Sequence, residues 1–141
     1  MIRDGQVPDA VNDLCQLLLR RSFKVRGYVR GGTGAMQLTL EGPVPGYPDG
    51  PTAWIQILAD RGQPAMGLRL SDMAEYIDPQ VWAAHIDGTV IGDPDFESQA
   101  SFVRNRMPDA AAALRADAQI EEALVRAGRK YLRRRNDRRA R

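Results

Sequence analysis

Residues 23–41 read FKVRGYVRGGTGAMQLTLE, and the period of this stretch decides the class of fold. In its first half Phe23, Val25 and Val29 alternate with Lys24, Arg26, Tyr28 and Arg30. In its second half Met36, Leu38 and Leu40 alternate with Gln37, Thr39 and Glu41. Successive side chains of a strand point to opposite faces, so each half predicts a half-buried strand with one apolar and one wet face. The GGTG at 31–34 supplies glycines for a hairpin turn at positive φ. It is not a phosphate cradle, because no GK[ST] follows and the next element is a strand.

Upstream, PDAVNDLCQLLLRR at 8–21 opens with a proline suited to a first helical turn. Val11, Leu14, Cys15 and Leu18 then recur at the spacing of one helical face, which predicts a helix ending near Arg21. Downstream, AWIQIL at 53–58 and AMGLRL at 65–70 predict two more strands joined by the turn ADRGQP. The segment GPVPGYPDGP at 42–51 holds four prolines and three glycines, and reads as a loop. Four strands with short connections make an antiparallel meander, with the first helix packed on its apolar face.

From Ser71 the pattern turns helical. Ser71 is read as the cap of a short turn through Tyr76. Asp78-Pro79 opens a helix that stops at Gly88, and TVI at 89–91 is read as a brief edge strand. Asp93-Pro94 repeats the cap-and-proline device ahead of a helix lined by Phe96, Ala100, Val103 and Met107, which Pro108 must kink or restart. A last helix is expected from about Asp117 to the mid-130s, with Ile120, Leu124, Ala127 and Tyr131 as its apolar stripe. The predicted fold class is therefore α+β: an N-terminal helix on a four-stranded antiparallel meander, then a helical C-terminal part ending in a basic helix.

A chain of 141 residues, 43% hydrophobic and 27% charged, has the make-up of one soluble globular domain. No apolar run is long enough to span a bilayer. The opening MIRDGQVPDA has no apolar core of a secretory signal, so a cytoplasmic location is expected. Cys15 is the only cysteine, which excludes an internal disulfide and a cysteine-rich zinc site. Charge is divided unevenly. Residues 1–125 hold 11 cationic against 17 acidic side chains, whereas residues 126–141 hold 9 against 1. This divides the single domain into an acidic α+β body, 1–125, and an Arg-rich C-terminal helix and tail, 126–141.

Catalytic motifs are missing. His85 is the only histidine, and the serines lack the glycine-flanked turn of a nucleophile elbow, so no catalytic residue is assigned. Asp87, Asp93, Asp95 and Glu97 carry oxygen ligands of the kind Mg²⁺ or Ca²⁺ prefers. Their spacing does not fit an EF-hand loop, however, and Asp93 reads as a helix cap with Asp95 and Glu97 in the first turn. No metal or cofactor is expected and the sequence identifies no small-molecule substrate; a metal-dependent hydrolase built on this cluster ranks behind the binding readings. The candidate site residues are Arg126, Arg129, Lys130, Arg133, Arg134, Arg135, Arg138, Arg139 and Arg141.

Nine cations exceed what a helix C-terminus needs to offset its dipole. Arginine forks suit phosphate and carboxylate, and Tyr131 belongs to the apolar stripe, so contact with a nucleic-acid backbone or another polyanion would carry no sequence preference. No Trp or Phe accompanies the basic face, which argues against a membrane surface. The expected function is a non-enzymatic binding or adaptor protein: the body docks a protein partner or itself, and the basic end meets a polyanion. The alternative is a protein-only module, an immunity, chaperone-like or assembly subunit whose basic end meets acidic protein.

Overall fold

The structure, a computed structural model, describes residues 8–31, 35–60 and 63–140. The element order is α1 (Asp9–Arg20), β1 (Lys24–Arg30), β2 (Met36–Val44), β3 (Tyr47–Asp60), β4 (Gln63–Leu70), α2 (Pro79–Asp87), α3 (Phe96–Asn105), α4 (Met107–Ala116) and α5 (Ile120–Ala140). The strands form one antiparallel sheet in the order β1-β2-β3-β4. This is the α+β meander that the alternating pattern predicts. The GGTG turn lies largely outside the described residues, and so do residues 61 and 62 of the next turn.

The inner face of the sheet is the heart of the core. Leu40, Ile55 and Leu68 stand in register across three strands, as do Leu38, Ile57 and Met66. All six are 2% exposed or less. On α1 the four residues of the predicted stripe, Val11, Leu14, Cys15 and Leu18, are buried in the same cluster. Trp82 of α2 is fully buried and its ring N–H donates to the Leu68 carbonyl at 3.2 Å, which satisfies the one polar atom the indole brings inside. Phe96, Ala100, Phe102 and Val103 of α3 and Met107, Ala110 and Ala111 of α4 complete the cover.

Five local expectations are corrected. The proline-rich stretch 42–51 is not a loop: β2 continues to Val44 and β3 begins at Tyr47 around the turn Pro45-Gly46, with Gly46 at φ 85°. Register passes from Pro43↔Thr52 directly to Val44↔Tyr47, so 48–51 bulge out of the ladder. Pro48 and Pro51 sit in that bulge, where no ladder N–H is required of them.

The second correction concerns β1, whose apolar residues are not half-buried. A bulge between Val25 and Gly27 shifts the register by one, so Tyr28 rather than Val29 lies beside the buried Leu38. Val25, Tyr28 and Val29 are 45%, 39% and 64% exposed.

The remaining three lie in the helical half. Ser71 caps no helix; at φ 44° its hydroxyl accepts from the Thr52 amide at 3.2 Å. Residues 89–91 form no strand and lie instead along α5, while the β4 edge is met by Ile77 through a two-way bridge with Leu68. The cap of α3 is Asp95, which accepts from the Ser98 amide, and not Asp93. Pro94 fixes the chain one residue before that cap instead of inside the first turn. Gly88 does end α2 in the left-handed conformation, and α4 restarts after Arg106 with Pro108 in its first turn.

Among the described glycines, room for a side chain is least where β2 meets Phe23, the residue before β1. A methyl group on Gly42 would collide with the Phe23 ring. Gly42→Ala is expected to cost about 1–3 kcal/mol through forced repacking, read as a lower urea midpoint at unchanged slope.

Candidate polyanion-binding helix

α5 has 21 residues, roughly 30 Å of helix at about 1.5 Å per residue. Its N-terminal half is held by the body. Ile120 and Leu124 are fully buried, Ala127 packs against the core and Tyr131 is half-buried, as the stripe predicts. Glu121 fastens the first turn: one carboxylate oxygen accepts from the Ala74 and Glu75 amides at 2.7 and 2.8 Å. The helix starts at Ile120, three residues later than the pattern indicates, because Asp117–Gln119 form a turn in which Asp117 accepts from the Gln119 amide.

Beyond Tyr131 the stripe has no continuation. The next residues at stripe spacing, Arg134 and Arg135, are cationic, and Leu132 is 52% exposed. A helix that is polar on nearly every side draws nothing from a core of its own. The cations are disposed accordingly. Arg126, Arg129, Lys130, Arg133 and Arg134 are exposed and Arg135 is partly so. Arg126 pairs with Glu122 at 3.3 Å, an exposed i,i+4 contact of little energetic weight. Among the described residues Arg129, Lys130, Arg133, Arg134 and Arg135 have no ion-pair partner. Arg138 and Arg139 belong to the last turn of α5, and Arg141 lies outside the described residues.

Arginines of the body are used differently. Arg106 grips both oxygens of Asp87 at 2.7 and 2.8 Å and also bonds Asp109 at 2.9 Å. Arg69 is stacked on Trp54 and Tyr76, with its guanidinium 4.9 and 5.4 Å from the ring centres, and donates to the Met73 carbonyl. Arg115 lies over Tyr47 and donates to the Gly50 carbonyl, while Arg21 donates to the Arg104 carbonyl and Arg26 pairs with Glu41. Each of these spends its fork inside the molecule. Neither the Arg106–Asp87 contact nor the Arg69 stack has a signal in the sequence, since both join residues brought near only by folding.

The acidic residues of 85–97 do not converge. Asp87 is taken by Arg106, Asp95 by the α3 cap, and Asp93 accepts from the Tyr131 hydroxyl at 3.4 Å, while Glu97 is exposed. Among the described residues no three His, Cys, Asp or Glu side chains are placed to share a metal ion. His85 is exposed in the last turn of α2, at the rim of a cleft of about 290 Å³ whose other wall carries Lys130 and Arg134. Cys15 is enclosed in the core, where burial pushes its thiol up to about 11, so it is not a nucleophile at neutral pH. Comparison of the chain with family models, with curated proteins and with solved structures gives no match. Among the described residues no helix is long and apolar enough to cross a membrane.

The Arg106 contact holds the Asp87 carboxyl below its ordinary range. A depressed carboxyl adds stability above its unfolded value, about 3.9, and that stability is lost as pH falls through the folded value. Arg106→Gln should therefore lower the melting temperature at neutral pH, and the gap between the two chains should close as Asp87 is protonated, which paired melts across the acid range check.

Proposed function

We propose that the protein is a non-enzymatic binding or adaptor module, working in the cytoplasm. Its α+β body docks a protein partner or a second copy, and its basic helix lies along the phosphate backbone of a nucleic acid, or a comparable polyanion, without reading sequence. One observation carries the reading: five neighbouring cations of α5 have no ion-pair partner among the described residues, whereas five arginines of the body have their forks engaged within the molecule. Placing such a set of charges side by side costs repulsion that a line of phosphates relieves, with release of the counterions condensed on it. Tyr131 belongs to the apolar stripe and its hydroxyl donates to Asp93, in keeping with contacts to backbone alone.

The test keeps the full chain and replaces Arg129, Lys130, Arg133 and Arg134 by Gln, all exposed positions where folding is little affected. The parent should bind a random-sequence DNA duplex, with affinity falling about a hundredfold as salt rises from about 50 to about 200 mM. The four-Gln chain should lose most of the binding and most of the salt slope. Equal binding by both chains, or none by the parent, rejects the polyanion reading. A stoichiometric protein complex that survives nuclease and is lost in the four-Gln chain would instead assign α5 to an acidic protein surface.

A further inference from the structure

The two edges of the sheet are finished differently. At β4 the edge is covered at its middle: Leu68 and Ile77 exchange two backbone hydrogen bonds of 2.8 and 3.0 Å, and Tyr76 lies against Gly67. At β1 no described segment pairs with the outer edge. Six of its seven residues are exposed, including three large apolar ones, Val25, Tyr28 and Val29. Open edges with apolar side chains are templates for another strand. From Gly27 to Arg30 the strand pairs with β2 residue for residue, so its backbone is straight enough to take a second neighbour.

The charges of β1 choose the neighbour. Lys24, Arg26 and Arg30 are exposed, and of these only Arg26 has a carboxylate partner among the described residues. A second copy pairing antiparallel about Gly27 would set Lys24 opposite Arg30 at both ends, and like charges opposed across a ladder are destabilising. The edge is thus guarded against its own kind while remaining attractive to an acidic strand. We infer that the β1 edge is a docking site for an extended acidic segment of a partner protein, added as a fifth strand with apolar side chains on one face beside Val25 and Tyr28 and carboxylates on the other beside Lys24 and Val29, Arg30 adding positive charge at the strand end. Main-chain hydrogen bonds supply the affinity in this mode and side-chain alternation supplies the choice of partner. The site is separate from α5 and does not rest on the polyanion reading.

The probe is a blocked peptide of alternating Glu and Val, four Glu and three Val, followed by fluorescence anisotropy and by amide hydrogen exchange. It should bind, slow exchange at residues 24–30, and bind about as well to the four-Gln chain described above. The Lys24→Glu, Arg30→Glu chain should bind it at least roughly tenfold more weakly at an unchanged melting temperature. If that double variant is unstable, Val29→Glu, which places repulsion at the most exposed apolar position of the strand, should give the same loss. A block-ordered peptide of identical composition should bind on the order of tenfold more weakly than the alternating one. Equal binding of the two peptides, absence of binding, or protection that appears on α5 overturns the inference. So does a dimer of the chain that protects 24–30 without peptide, or a single-stranded oligonucleotide that displaces the peptide from those amides.

Discussion

The burial of a single face of the sheet organises this molecule. Leu40, Ile55 and Leu68 lie in one row with no measurable exposure, and each such side chain contributes on the order of 1.5–3 kcal/mol by leaving water. α2, α3 and α4 contact the sheet directly, with Trp82 bonded to the backbone of β4 itself, while α5 packs on α2 and α4. The opposite face therefore keeps Gln37, Thr39, Glu41 and Gln56, side chains that stay solvated or bond locally.

The same economy of placement governs the cations. Inside the body, arginine works as a structural fork that ties α1 to α3, the 71–76 turn to β4, and the end of α2 to the start of α4. Along α5 the apolar stripe ends at Tyr131 and arginine takes over the positions that would have faced a core. Acidic groups cluster nearer the body: Glu121 is spent on backbone amides, Glu122 on Arg126. The basic half of the helix thus follows a first turn whose own carboxylates are already engaged.

Much of the fold is legible in the sequence, for identifiable reasons. The stripe Val11, Leu14, Cys15, Leu18 and the alternation Met36, Leu38, Leu40 each express one period without interruption, and both are buried as written. What fails is whatever a period cannot carry. One extra residue at the β1 bulge reverses which side Tyr28 and Val29 take, and no local residue announces it beyond Gly27. Prolines at 43, 48 and 51 read as loop because composition does not reveal which amides a ladder needs. Asp93 and Asp95 both stand near a proline at a helix start, and only the backbone decides between them. For the candidate site, the charge of 126–141 is plain in the residues, whereas the contrast with engaged arginines elsewhere required the tertiary contacts of Arg69, Arg106 and Arg115.

The lone thiol sets a limit on how this chain joins to others. Cys15 is 2% exposed on the inner side of α1, and its proton is held to about 11. Covalent bridging between folded copies is therefore closed to it, and the chain has no second sulfhydryl to offer. A disulfide to another chain would first require α1 to lift from the core.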